Sequence, residues 1–226
     1  MATIVVVPGG YHGAWYFSPM LPGLRSAGHT VHAVTLTGLG GPSDRQRPPI
    51  NLQTHICGVI SLIEDEQLQD VILCGHSYAG LVIAGAADRL KGRIRTLIFL
   101  DAIVARDGES VWSQWSAEQR GAFVSNSPDG IVTNPPPGVD RRARPHSLGC
   151  FMQPLALQQP DYGVNDRVCV WCSSWRDGPY RAVHDRVVHE GGWEIHELGS
   201  GHDFMTDNPK AAELLIGRIV ATRETR

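Results

Sequence analysis

The sequence has no surplus of positive charge: 20 lysines and arginines stand against 23 aspartates and glutamates, for a formal net charge of -3, and the basic residues are scattered. Nucleic acids and anionic membranes are bound through a basic field that such a chain does not generate, so neither is an expected partner. Apolar runs are short. None approaches the roughly 20 residues needed to span a bilayer, and the opening "MATIVVVPGG" lacks the basic segment and long apolar stretch of a secretory signal. A cytoplasmic protein is the expectation. Cysteine is scarce and odd in number, five in all. Cys169 and Cys172 fall within the strand-like "RVCVWCSS", where a spacing of three points side chains to opposite faces. Buried, reduced thiols are therefore expected rather than a disulfide or a zinc site. No metal-ligand set has suitable spacing, and the glycines of "GLGG" follow no phosphate-binding pattern, so no cofactor is expected.

What is present is a chain of 226 residues, 42% hydrophobic, able to bury roughly 70% of the surface its unfolded form exposes. That suffices for a single domain over 1–226. Short β-branched runs at Thr3–Val7, Thr30–Leu36, Asp70–Cys74, Arg95–Leu100, Arg167–Cys172 and Trp193–Leu198 read as buried strands. Between them lie helical patterns, among them Leu52–Leu68, Ala79–Leu90 and Pro209–Val220. The alternation predicts an α/β protein with a mostly parallel sheet of about six strands and helices on both faces. It breaks after Ala102. Residues 104–166 hold one amphipathic stretch, "ESVWSQWSAEQRGAF", and then a proline-rich region, the pattern of a small inserted cap rather than a structureless loop.

In an open parallel sheet, ligands bind beyond the carboxyl ends of the strands. Ser77 in "LCGHSYAG" follows the strand "DVILC" and precedes the helix "AGLVIAGAADRL", the strand-turn-helix context of a nucleophile elbow. Its flanking positions must be small; Gly75 is, and Ala79 adds one methyl beside Gly80. The next backbone amide, that of Tyr78, would face a reacting carbonyl. A second oxyanion donor would come from "VPGGYHGAW" after the first strand, where Gly10 is the candidate. His202 in "ELGSGHDFM" follows the last strand and can serve as general base. The carboxylate that orients it is either Asp101 in "LIFLDAI" or Asp177 in "CSSWRDGPY".

The set "VPGGYHGAW", "LTGLG", "GHSYAG", "FLDAIVARDGES" and "ELGSGHDFM" resembles proteins of the α/β-hydrolase fold, in particular a bacterial esterase-like branch akin to plant methylesterases and hydroxynitrile lyases. The resemblance implies the order Ser77, then Asp101 or Asp177, then His202. Counted back from His202, the acid of the plant-type members falls on Ser174, three residues before Asp177. The bacterial branch often carries the aspartate of "LDA", which directs the choice toward Asp101. The lyases place threonine in the oxyanion loop and lysine after the histidine; here Gly10 and Asp203 stand there, which argues against cyanide elimination.

Aromatic side chains suit a mostly apolar pocket: Tyr11, His12 and Trp15 in the oxyanion loop, Trp112, Trp115 and Phe123 in the cap. The spacing of Trp112 and Trp115 would equally place both on one helical face sealing the cap. The expected activity is hydrolysis of a small, largely apolar ester or lactone through an acyl-enzyme on Ser77. The same site could instead serve an acyltransferase, cyclase or elimination enzyme. A ligand receptor without turnover is the reading from another class, and the intact Ser77 and His202 argue against it. Assembly as a homodimer is left open.

Overall fold

The computed structural model describes residues 1–41, 50–175 and 180–224. Its strands are β1 (Thr3–Val7), β2 (Thr30–Ala33), β3 (Val71–His76), β4 (Ile94–Leu100), β5 (Val132–Thr133), β6 (His146–Ser147), β7 (Asp166–Cys172) and β8 (Glu194–Leu198). Six of these form one parallel sheet, as the sequence predicts, and the structure gives its order as β2-β1-β3-β4-β7-β8; β5 and β6 pair separately as an antiparallel ladder. The helices are α1 (Leu21–Ser26), α2 (Leu52–Asp65), α3 (Ala79–Arg89), α4 (Val111–Gln114), α5 (Ala117–Ser125), α6 (Leu148–Met152), α7 (Tyr180–Glu190), α8 (Phe204–Asp207) and α9 (Pro209–Glu224). None of the described helices is long and apolar enough to cross a membrane.

The β1 run "TIVVV" shows why the strands form where they do. β-Branched side chains pack well on a pleated surface, and a parallel strand covered on both faces needs apolar residues at consecutive positions. Val5 and Val7 enter the core under α2 and α3, while Ile4 and Val6 pack on the opposite face with α1 and α9. Cys169 and Cys172 likewise fall in opposite cores. All five cysteines are free, but Cys57 is exposed rather than buried.

Several element ends differ from the sequence reading, each for a tertiary reason. β2 stops at Ala33 rather than Leu36, because β1 turns away after Val7 and offers no further partner. β3 continues to His76 because β4 supplies partners through Leu100. α2 ends at Asp65, where Gln67 turns left-handed (φ 52°) and the Leu68 amide reaches back to the Ile63 carbonyl. α9 extends to Glu224, its Arg223 buried against Asp166 and Glu194. The amphipathic stretch "ESVWSQWSAEQRGAF" is two helices, since Ser110 and Ser116 each build a capping box and divide it.

The chain leaves β1 toward β2 on one side and returns to β3 on the other, so the sheet order reverses between β1 and β3. Loops diverge at such a switch point and leave a crevice beyond the strand ends. The "GGYHG" turn follows β1 there, and Ser77 follows β3. The 104–166 segment supplies α4, α5, α6 and the β5–β6 ladder, and its Phe123, Cys150 and Phe151 join the core that holds Tyr78.

Candidate active site

Ser77 occupies the turn between β3 and α3 in a left-handed conformation, φ 56°. A non-glycine residue is held there only when its surroundings over-determine it. The Ser77 amide donates to the Leu100 carbonyl at 3.3 Å, and its own carbonyl accepts from the amides of Gly80 and Ile103, both at 3.1 Å. The requirement for small residues falls on neighbours of Ala79. A Cβ on Gly75 would lie 2.8 Å from the Ala79 carbonyl, and one on Gly80 would collide with the Ile103 carbonyl. The Ala79 methyl is accommodated within the core.

Ser77 Oγ lies 3.0 Å from His202 Nε2, and His202 Nδ1 lies 2.6 Å from Asp101 Oδ2. Asp101 is 3% exposed, at the end of β4 with φ 43°, and its Oδ1 accepts from the Cys172 amide at 3.1 Å. A carboxylate accepting from Nδ1–H leaves the Nε2 lone pair directed at the serine hydroxyl, the tautomer a general base requires. Asp177, the alternative acid, lies outside the described residues. His76, inside the serine motif itself, donates from Nε2 to the His202 carbonyl at 3.1 Å and stacks on Tyr16 at 5.0 Å.

The turn after β1 is closed by the His12 amide on the Gly9 carbonyl, 3.4 Å. A Cβ on Gly9 would sit 2.8 Å from Ser77 Cβ, so only glycine lets this loop approach the serine. Among the described residues, the Gly10 and Tyr78 amides have no hydrogen-bond partner. Tyr180 was not singled out from the sequence. Its hydroxyl lies 2.9 Å from Ser77 Oγ, and its ring stacks on His202 with centroids 4.6 Å apart. Burial pushes its pKa up, so the hydroxyl stays protonated and can donate to Oγ.

A cavity of about 480 Å³ opens over Ser77. Gly10, Tyr11, His12, Tyr78 and His202 line its floor, and Trp115, Phe123, Phe151 and Val139 of the 104–166 segment line its roof, with Gln119 and Asn126 as the polar side chains there. Two expected pocket residues lie elsewhere. Trp15 packs under Arg142, whose guanidinium sits 4.1 Å above its ring. Trp112 packs on Phe123 beneath Arg120, whereas Trp115 has left the helix in extended backbone and stacks on Phe151. The two tryptophans therefore do not share a helical face. A smaller cavity of about 190 Å³ lies beyond Ile103, Trp115 and Tyr180.

Below the pocket, His55 Nε2 donates to the Thr37 carbonyl at 3.0 Å and its Nδ1 accepts from the Tyr78 hydroxyl at 3.0 Å. His146 Nδ1 accepts from the Tyr11 amide at 3.3 Å. With Cys150, these histidines bring three ligand-type atoms within 4.8 Å of one another, a grouping that sequence spacing does not reveal. The Tyr78 hydroxyl and the Tyr11 amide occupy His55 Nδ1 and His146 Nδ1, and burial pushes the Cys150 thiol up to about 12, so the three groups are held as a neutral cluster.

Burial lowers His55 to about 4 and holds His76 and His146 well below the usual histidine value. Well above pH 6.5, the ordinary histidine value, these groups are neutral folded or unfolded. Below it the unfolded chain takes up protons that the folded one refuses, costing about 1.4 kcal/mol per pH unit for each histidine. Thermal unfolding should therefore show a Tm that is level above pH 7 and falls steeply between pH 6.5 and 4. A level Tm down to pH 5 would contradict the assigned neutral states.

A sequence profile described as the alpha/beta hydrolase family matches residues 4–213, and the chain belongs to that family. It is 34% identical over 231 residues to a carbendazim hydrolyzing esterase of Nocardioides sp. (strain SG-4G), an alignment covering 92% of this chain and 96% of that protein. It is also 31% identical to methylesterase 3 of Arabidopsis thaliana over 56% of this chain and 52% of the relative. Among solved structures, an extracellular alpha/beta-hydrolase from a Paenibacillus species superposes with a TM-score of 0.83 at 22% identity, covering 96% of this chain and 98% of that one. The protein is an esterase-like member of the family.

Proposed function

We propose that the protein is a serine esterase cleaving a small, largely apolar carboxylic ester or lactone without a cofactor. The observation that carries this reading is the unbroken run Asp101–His202–Ser77 beside two free amides under an apolar cavity. Ser77 Oγ attacks the substrate carbonyl as its proton passes to His202 Nε2. The Gly10 and Tyr78 amides receive the oxyanion. His202 then returns the proton to the leaving alcohol oxygen, and water activated by the same nitrogen releases the acid. Residues 104–166 act as the cap. The 34% identity to a hydrolysing esterase supports hydrolysis as the outcome.

Purified protein is expected to hydrolyse p-nitrophenyl acetate and butyrate faster than long-chain esters, and a fluorophosphonate is expected to label Ser77 stoichiometrically. Absence of both turnover and labelling would overturn the proposal. Ester product formed in place of free acid when an alcohol is added would reassign the site to acyl transfer.

A further inference from the structure

In the loop after β1, Tyr11 is held by residues of the distant 104–166 segment. Tyr11 has φ 70°, in the third position of a turn where glycine is the usual occupant. Three of its polar groups are held by the 104–166 segment. Its amide donates to His146 Nδ1 at 3.3 Å, its carbonyl accepts from the Arg144 amide at 2.9 Å, and its hydroxyl lies 3.4 Å from Thr133 Oγ1. The peptide that joins it to Gly10 is gripped from the other end as well, since the Gly10 carbonyl accepts from His12 Nδ1 at 2.6 Å. His146 is 1% exposed and packed against Phe151, Tyr78 and His55, so its acceptor nitrogen is presented from the core.

From this clamp we infer that His146 is a positioning residue for the oxyanion hole: by accepting the Tyr11 amide it fixes the strained turn that leaves the Gly10 amide free toward the substrate. The inference rests on the esterase reading. It makes the cap part of the catalytic scaffold as well as a lid, because the 104–166 segment must be seated before the Gly10 donor is in place. The stabilisation acts on charge that develops in the transition state, so its loss lowers kcat rather than substrate binding.

The test compares His146→Asn, whose side-chain oxygen can accept from the Tyr11 amide, with His146→Phe, which keeps a ring but has no acceptor. His146→Leu serves as the second non-accepting variant should the phenyl ring not fit. For p-nitrophenyl butyrate, the non-accepting variants are expected to lose about 30-fold or more in kcat with KM within threefold of native, and His146→Asn to recover most of the loss. Affinity for an alkyl trifluoromethyl ketone, which forms an oxyanion on Ser77, should fall in parallel with kcat. Affinity for the matching methyl ketone should not. A folded His146→Phe or His146→Leu enzyme with native kcat, or equal loss of affinity for both ketones, would overturn the inference alone. A native protein without turnover would remove the esterase reading and this inference with it.

Discussion

Ser77→Ala is expected to lower kcat for a short-chain aryl ester by about 10⁶, the scale on which other serine hydrolases lose activity with their nucleophile. KM should stay near native, because in the proposed esterase the contacts to substrate come from the aromatic cavity walls at Trp115, Phe123 and Phe151 and not from the serine oxygen. The fold should also survive. Alanine has the same Cβ as serine, so the left-handed turn at φ 56° is no more strained, and the backbone bonds to Leu100, Gly80 and Ile103 are kept. Residual catalysis of about 10³ over the uncatalysed reaction should remain from the Gly10 and Tyr78 amides and from binding alone. Steady-state kinetics on protein of native Tm checks this. A variant retaining more than about 1% of native kcat would show that Oγ does not attack the substrate.

The sheet was readable in the sequence because buried parallel strands announce themselves as short β-branched runs, and the positions of Ser77, Gly10 and His202 at the strand ends were readable because each follows such a run. What could not be read depends on contacts between distant segments. Asp101 and Asp177 both follow strands, and no local feature of "LIFLDAI" shows that its aspartate turns into the site at φ 43° with Oδ1 held by Cys172. Tyr180 opens a helix 103 residues beyond Ser77, and His146 stands 135 residues from Tyr11; neither pairing leaves a trace in spacing. The spacing of Trp112 and Trp115 misled for a local reason, since Ser116 caps a new helix and the backbone is extended at Trp115. The elbow shows the converse. Its small-residue rule is visible in "GHSYAG", but the tertiary contact of Gly80 with Ile103 decides which position cannot carry a methyl group.

Asp101→Asn separates the two aspartates that sequence leaves open, and the expected loss in kcat is about 10⁴. The reason lies in the two hydrogen bonds of the native carboxylate. Oδ1 accepts from the Cys172 amide and Oδ2 from His202 Nδ1–H. An asparagine of the same shape has only one acceptor oxygen. The Cys172 amide cannot change from donor to acceptor, so the asparagine oxygen stays with it and its NH₂ faces Nδ1. His202 then accepts at Nδ1 and carries its proton on Nε2, which can no longer receive the proton of Ser77. The carboxylate that would stabilise the imidazolium is also gone. KM and Tm should change little, since volume and one of the two bonds are kept, and the rate of fluorophosphonate labelling at Ser77 should fall together with kcat. Asp177→Asn at matched stability should keep kcat within about threefold of native, a change smaller than 1 kcal/mol in barrier. A large loss for Asp177→Asn with a small one for Asp101→Asn would move the acid to Asp177.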